Sequence, residues 1–129
     1  MIHGYLSGGV QFCKMMPHLR NYFEVHSICL LGMGSSGRPK NTNFQGFEDT
    51  MDFFTSSIHD YITIKGFARD GKKFNLLGHS LGGMIAGHYT LKYEEQIERL
   101  ILMSPVGIMN PEVDDQFPKP RDNALADIG

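Results

Sequence analysis

Residues 74–83 of this chain, which read FNLLGHSLGG, decide how the rest of the sequence is interpreted. The apolar run 74–77 predicts a buried parallel strand, and it leads directly into Gly78-His79-Ser80-Leu81-Gly82 and then into a segment with helical spacing. A serine on a sharp strand-to-helix turn needs glycines at its flanks, because a side chain there would collide with the neighbouring strand or helix. The stretch therefore predicts that Ser80 is a nucleophile, exposed at the start of a helix whose free N–H groups and dipole face it.

The same pattern has a purely structural explanation. Small residues also occur where a strand and a helix cross closely, and Ser80 would then serve only as the N-cap of the helix. The strand before the motif and the helix after it favour the nucleophile, since this order is the context that such a turn requires.

Composition excludes several classes of protein. The 129 residues contain 41% apolar and 20% charged side chains, which is typical of one soluble globular domain. A formal net charge of −2 without a Lys/Arg cluster argues against nucleic-acid binding. No apolar run is long enough to span a membrane, and no signal peptide is visible at the N-terminus, so we expect an intracellular, cytoplasmic location. Cys13 and Cys29 lack metal-ligand spacing and are expected to be small buried hydrophobic residues.

The first forty residues predict two strands and a helix. Ile2 is expected to end a strand, and His3-Gly4 turns out of it into a Gly-rich loop. Helical spacing follows over 10–22, with an irregular last turn at Pro17. Residues 23–31 are apolar and β-branched enough to form a second buried strand, and the glycine-rich stretch 32–39 is a loop without the lysine of a phosphate-binding motif.

Three further elements complete the pattern. Thr42 or Asn43 is expected to cap a long helix that begins near Phe44 or Gln45, carries one apolar stripe and ends at Gly66. A helix over 81–93 and a buried strand over 100–103 come after the motif. The order β-α-β-α-β-α-β predicts an α/β fold with about four central parallel strands and helices on both faces. We assign 1–105 to this core and 106–129, rich in proline and aspartate, to an irregular segment.

Taken together, these segments resemble the α/β-hydrolase fold family. The likeness is greatest to its lipid-directed subgroup, which includes lysophospholipases of N-acyl-phosphatidylethanolamine, lysophosphatidic acid acyltransferases and lipid-droplet co-activator proteins. The matching stretches are HGYLSGG at 3–9, LLGMGSSGRP at 30–39, FNLLGHSLGGMIAGHYTLKY at 74–93 and LILMSPVGI at 100–108. The resemblance implies a partial α/β-hydrolase core in which 106–129 begins a cap region.

The resemblance also implies roles for individual residues. Ser80 matches the family nucleophile, and the backbone N–H groups of Leu81 and Tyr5 match the two oxyanion donors. Gly4, Gly78 and Gly82 match the glycines of the oxyanion loop and of the turn. His79 occupies a variable position and is not the catalytic base.

Three departures from the family pattern stand out. The position that usually carries a loop-bracing aspartate holds Cys29. The acid and the histidine of the catalytic triad belong, in the family, to loops after strands that this sequence does not contain. The His-x4-Asp pattern that some members associate with acyl transfer to lysophosphatidic acid is also absent, since none of the six histidines has an aspartate five residues later.

The sequence thus predicts a serine hydrolase that acts on lipid acyl esters, as a lysophospholipase or an acyltransferase, with no metal or organic cofactor. Its expected partners are a lipid or a small acyl ester, with peripheral contact to a membrane or lipid droplet as a further expectation. Two alternatives remain open: a non-catalytic lipid-binding or co-activator protein of the same fold, and an inactive truncated product. In this chain alone we expect no catalysis, since the acid and base are missing.

Overall fold

Two parallel strands form the main ladder of the sheet. A computed structural model of the protein describes residues 1–40 and 42–107. Strand β1, Phe74–His79, pairs in parallel with strand β2, Ile97–Met103, and Leu76 lies opposite Leu100 in the register. Both strands were predicted, and both are longer than predicted. The Ser80 turn therefore follows the last paired residue of β1 directly.

Ile2 extends this sheet by single bridges. It pairs in parallel with Gly78 of β1 on one side and with Ile28 on the other. Its N–H donates to the Leu77 carbonyl at 2.8 Å, and its carbonyl accepts from the His79 N–H at 3.0 Å. The sheet order across these pairs is residue 28, residue 2, β1 and β2.

The prediction of a full strand over 23–31 is wrong for the described residues, whereas Ile2, which we expected to end a strand, does pair with the sheet. The backbone groups that pair with the 23–31 segment in the sheet belong to Met1 and Ile2. The Ile28 N–H reaches the Met1 carbonyl at 3.1 Å, and the ladder extends no further than this pairing. Two paired strands and two isolated bridges replace the four strands that we expected.

The helix predicted over 10–22 is also wrong. This segment contains a 3₁₀ turn, Gly9–Phe12, and a short helix α1, Met16–Leu19. Pro17 lies in the first turn of α1. Because proline has no N–H to donate and its ring crowds the preceding turn, it begins a new helix there rather than continuing the earlier one.

The long helix α2, Phe47–Lys65, confirms the predicted apolar stripe. Its buried residues are Met51, Phe54, Thr55, Ile58 and Ile62, whereas Phe47 is half exposed. Gly66 ends the helix in the left-handed conformation with φ 70°. This conformation is the one in which glycine avoids the steric cost that other residues incur.

The predicted cap of α2 is wrong, because neither Thr42 nor Asn43 caps it. The N-cap is Gly46, and no side chain caps the first turn. Asp49 instead accepts a hydrogen bond from the Gln45 N–H at 3.0 Å, and Glu48 lies beside it in the first turn. Carboxylates in the first turn of a helix interact favourably with the positive end of the helix dipole. This interaction reduces the need for a capping hydroxyl.

Helix α3, Leu81–Lys92, connects β1 to β2 and packs against both strands and against α2. The core lies between these elements, and its most buried side chains are Ile2, Leu30, Met51, Ile58, Leu76, Ile85, Ala86 and Tyr89. Within the described ranges, no helix combines the length and the apolar character needed to cross a membrane. The predicted irregular segment 106–129 lies outside the described residues from position 108 onward.

Candidate active site

Ser80 occupies the junction between β1 and α3 in a strained backbone conformation. Its φ of 53° and ψ of −119° are rare for a residue with a side chain. Such strain costs on the order of 1–3 kcal/mol and persists only where the surroundings hold it. The Ser80 N–H donates to the Met103 carbonyl at 3.0 Å, and the Ser80 carbonyl accepts from Gly83 at 2.9 Å and from Val106 at 3.2 Å. The end of β2 and the first turn of α3 thus hold the turn from both sides.

Close backbone packing explains the two glycines that flank Ser80. A Cβ on Gly78 would lie under 3.0 Å from the carbonyl of Gly82, and a Cβ on Gly82 would lie equally close to the carbonyls of Ile2 and His3. These neighbours are backbone atoms that cannot move aside without disrupting the sheet. The helix can therefore begin against the sheet only because neither position carries a side chain.

The loop after His3 lies against the same turn. A Cβ on Gly4 would be 3.2 Å from the Ser80 Cβ, so the Gly4 backbone and the serine are in direct contact. The Gly4 N–H donates to Oε1 of Gln11 at 3.0 Å, and the Gly4 carbonyl accepts from the Ser7 N–H at 3.3 Å. The structure therefore brings Gly4, Gly78, Ser80 and Gly82 together, although they are distant in sequence.

Within the described residues, the backbone N–H of Leu81, which follows Ser80, and that of Tyr5, which follows Gly4, have no acceptor. Leu81 is the first residue of α3, where N–H groups have no partner within the helix. In the part of the chain that the structure describes, neither the Leu81 N–H nor the Tyr5 N–H donates a hydrogen bond. Tyr5 itself is 67% exposed, and the following Leu6 has a positive φ of 54°. Both amides are therefore available to a ligand.

His3 belongs to the framework of the site. It is fully buried, and its Nε2 accepts a hydrogen bond from the Leu30 N–H at 3.0 Å. Since Nε2 is the acceptor, Nδ1 carries the proton, and it donates to the Gly4 carbonyl at 2.7 Å. Both ring nitrogens are occupied, so His3 cannot take a proton from Ser80.

Three of the other histidines contact residues other than Ser80. His26 contacts Glu24 and Tyr61, His59 stacks on Tyr93, and His88 packs against Phe47. Among residues 1–40 and 42–107, no side chain forms a hydrogen bond with the Ser80 hydroxyl. The described residues thus contain the turn and the free amides but no base positioned beside the serine.

Cys29 differs from what the sequence led us to expect. Its Sγ accepts a hydrogen bond from the Gly9 N–H at 3.2 Å, and a Cβ on Gly34 would lie only 2.7 Å from this sulfur. Backbone hydrogen bonds from Gly9 and Ser35 hold the pKa of the thiol below its ordinary value of 9.0. Cys29 is half-buried and Cys13 is exposed, so the expectation of two buried hydrophobic cysteines is wrong. Spacing alone gave no indication that the thiol accepts hydrogen bonds.

Neither of two cavities in the described residues is lined by Ser80. These cavities, of about 410 Å³ and about 160 Å³, lie near Met1 and near Cys29 respectively. Tyr5 and Leu6, which follow Gly4 in the chain, and Val106, whose N–H donates to the Ser80 carbonyl, have exposed apolar side chains. The described ranges contain no group of three or more His, Cys, Asp or Glu side chains arranged to hold a metal ion.

Comparison with known proteins agrees with this geometry. The family described as the alpha/beta hydrolase fold matches residues 1–127, and the chain belongs to this family. This chain is similar to the solved structure of an extracellular alpha/beta-hydrolase from a Paenibacillus species, with a TM-score of 0.65 and 28% sequence identity. The match covers 92% of this chain and 45% of the Paenibacillus chain.

Two curated relatives are named for activities on lipids. The chain is 36% identical over 107 residues to a 1-acylglycerol-3-phosphate O-acyltransferase of Arabidopsis thaliana, which covers 83% of this chain and 24% of the relative. It is also 36% identical over 107 residues to a (Lyso)-N-acylphosphatidylethanolamine lipase of Mus musculus, covering 83% of this chain and 30% of the relative. The chain thus spans about a quarter to a third of the length of these relatives, which act on lipids as hydrolases and acyltransferases.

Proposed function

We propose that Ser80 is the nucleophile of a serine ester hydrolase or acyltransferase that acts on lipid acyl esters. The observation that carries the proposal is the strained serine between β1 and α3, with the Gly4 backbone packed against its Cβ. A structural N-cap has no need of a positive φ, because the usual N-cap has extended dihedrals and bonds to the helix through its side chain. No side-chain capping bond is formed by Ser80. The conformation therefore favours an exposed hydroxyl that reacts.

The two free amides define the second part of the proposal. The Ser80 Oγ attacks the ester carbonyl, its proton passes to a base, and the carbonyl oxygen becomes an oxyanion. The N–H groups of Leu81 and Tyr5 stabilise that oxyanion, and each such donor contributes about 3 kcal/mol to the transition state. The tetrahedral intermediate collapses to an acyl-enzyme as the protonated alcohol leaves, and water or a lysolipid hydroxyl then accepts the acyl group. We place the base and its acid partner outside the described residues.

The substrate class follows from the relatives and from the open surface of the site. One relative is named for acyl transfer to acylglycerol phosphate and the other for a lipase of N-acyl phospholipids, and both names involve acyl groups on glycerophospholipids. Tyr5 and Leu6, which follow Gly4, and Val106, whose N–H donates to the Ser80 carbonyl, have exposed apolar side chains that suit an acyl chain or a lipid surface. We therefore assign lipid acyl esters to the site.

A non-catalytic lipid-binding protein is the second candidate function. The observation in its favour is that, within the described residues, no side chain that could act as its base forms a hydrogen bond with the Ser80 hydroxyl. In that case the apolar surface would bind lipid while Ser80 remained unreactive.

A fluorophosphonate probe distinguishes the two functions. We expect a longer protein containing this sequence to be labelled, and Ser80→Ala to abolish labelling. Ser104→Ala is the matched control, because Ser104 is an exposed serine that also has a positive φ, of 41°, at the end of β2. Labelling that survives in Ser80→Ala would refute the nucleophile, whereas a wild-type protein that binds lipid vesicles but is never labelled would favour the lipid-binding function.

The 129-residue chain itself makes a second test. We expect no hydrolysis of a short p-nitrophenyl ester beyond the rate of its Ser80→Ala variant, because a base and its orienting partner are required. A rate that depends on Ser80 would show that a base lies within these residues.

A further inference from the structure

The Nδ1 atom of His79 is buried and has no hydrogen-bond partner among the described residues. His79 is the residue immediately before Ser80, and its own backbone N–H is bonded to the Ile2 carbonyl. Buried polar side-chain atoms are nearly always paired, because an unpaired one loses its hydration without compensation. This nitrogen therefore needs a physical explanation.

The neighbour of that nitrogen is Gly4. A Cβ on Gly4 would lie 3.0 Å from Nδ1 of His79 and 3.4 Å from its Cε1. In glycine this position is taken by a hydrogen, so one Cα–H of Gly4 points at the Nδ1–Cε1 edge of the ring. Such a C–H group is a weak donor toward a lone pair, whereas a ring N–H would meet it with the same sign of charge. The contact thus favours the tautomer that has its lone pair on Nδ1 and its proton on Nε2.

The other contacts of Gly4 show what this arrangement fixes. Gln11 holds the Gly4 N–H, while Ser7 and His3 hold the Gly4 carbonyl. The His79 ring adds a contact at the Cα between these two groups. The peptide that follows Gly4 carries the Tyr5 N–H, so the His79 ring limits how that amide can move relative to Ser80.

We propose that His79 is a positioning residue, whose ring, with its lone pair on Nδ1 and its proton on Nε2, fixes the Gly4–Tyr5 peptide beside Ser80. Its catalytic consequence rests on the function proposed above, in which Tyr5 is an oxyanion donor. The contact between ring and glycine does not depend on that function. His79 touches no substrate in this scheme and acts only through Gly4.

Nuclear magnetic resonance of the full 129-residue chain tests the contact directly. We expect a nuclear Overhauser effect between a Gly4 Hα and Hε1 of His79, together with ring-nitrogen signals that show Nε2 protonated. An Overhauser effect from Gly4 to Hδ2 instead would mean that the ring faces the other way. Either that result or a proton on Nδ1 would overturn the proposal.

Two variants of nearly equal shape test the role of the nitrogen. His79→Asn keeps an acceptor near the place of Nδ1, and His79→Leu fills the same space without one. We expect hydrogen exchange of the Gly4 amide to rise roughly tenfold in His79→Leu and to stay within about threefold in His79→Asn. The control is His88→Leu, since His88 packs on Phe47 away from this loop. Equal protection in both His79 variants would refute the role of the nitrogen.

The catalytic consequence has a separate measurement. In a longer protein that contains this sequence, we expect the fluorophosphonate labelling rate at Ser80 to fall roughly tenfold in His79→Leu and to be restored in His79→Asn. If the wild-type protein is never labelled, the proposed function fails. The resonance and exchange results would still show whether the His79 ring contacts Gly4. If labelling is unaffected by His79→Leu, the positioning role is refuted and the nucleophile stands.

Discussion

The Sγ of Cys29 accepts a hydrogen bond from the Gly9 N–H at 3.2 Å, and this contact joins the loop after His3 to the loop around Gly34. The family resemblance indicates only that a bracing carboxylate is missing from this position. The structure shows that the thiol itself supplies an acceptor between the two loops. Gly4 lies in the first of these loops. The hydrogen bond to the thiol therefore helps to hold the loop that packs against Ser80.

Stability should therefore depend on the ionisation of Cys29. Because the folded pKa of the thiol is lowered, its contribution to folding is fully present above the ordinary thiol pKa and is lost as the pH falls through the lower folded value. We expect Cys29→Ala to remove part of the rise in unfolding free energy that occurs as the pH increases towards the ordinary thiol pKa of 9.0. Urea unfolding at a series of pH values measures this difference. Cys13→Ala is the control, and an identical pH dependence in both variants would contradict the prediction.

Two glycines of α3 should respond in opposite ways to alanine. A Cβ on Gly82 would press on the carbonyls of Ile2 and His3, so we expect Gly82→Ala to destabilise the fold by about 1–3 kcal/mol. A Cβ on Gly87 would meet no atom within 4 Å, so Gly87→Ala should stabilise it by about 0.5–1 kcal/mol through helix propensity. Urea unfolding of both variants measures the sign of each change in the free energy of unfolding. A Gly82→Ala variant as stable as wild type would mean that the helix start can move away from the sheet.

Replacing Ser80 by glycine should relieve backbone strain. Glycine adopts positive φ without steric cost, so we expect Ser80→Gly to raise the free energy of unfolding by about 1 kcal/mol while removing all Ser80-dependent labelling. Ser56→Gly, at an exposed position within α2, serves as the control and should lower stability because glycine is unfavourable within a helix. A loss of stability in Ser80→Gly would show that the serine hydroxyl stabilises the turn.

The buried tyrosine of α3 should remain protonated at alkaline pH. Burial, and then the charges of Tyr93 and Glu95, raise the pKa of Tyr89, and its hydroxyl donates to Oε1 of Gln96 at 2.7 Å. A raised pKa gives stability that is fully present below the ordinary tyrosine pKa of about 10 and is lost as the pH rises through the folded value.

The corresponding variant is Tyr89→Phe. We expect it to cost about 1 kcal/mol at neutral pH through the lost hydrogen bond and to reduce the alkaline loss of stability. Absorbance titration of tyrosine together with urea unfolding measures both effects. Tyr22→Phe, at an 82% exposed position, should change neither. A Tyr89 that ionises together with the exposed tyrosines would refute the prediction.

The elements with strong local signals were predictable from the sequence. The apolar stripe of α2, the strand before Ser80 and the helix after it all follow from periodicity within one segment. The errors arose where an element depends on a partner. Residues 23–31 have strand composition, but a strand also needs a neighbour with which to pair. The 10–22 segment has helical spacing, yet Pro17 divides it.

The candidate site was predictable in outline only. Residue types and spacing indicated Ser80 and its glycines, and the resemblance indicated Gly4 and Tyr5. Sequence could not show that both nitrogens of His3 are occupied, because this depends on the Leu30 N–H, which lies 27 residues away. The roles of Cys29 and His79 were missed for the same reason, since the atoms that they contact belong to glycines in other loops.

The bridge from Ile2 to Gly78 spans 76 positions of the sequence, and it rests on two hydrogen bonds. Closing so long a loop is entropically costly, whereas the contacts between α2 and α3 form over shorter separations. Detachment of the first few residues would therefore separate Gly4 from Ser80 while the packed helices remained intact. We therefore expect the assembled site to depend on how firmly residues 1–4 are held, both by these bonds and by the burial of Ile2 and His3.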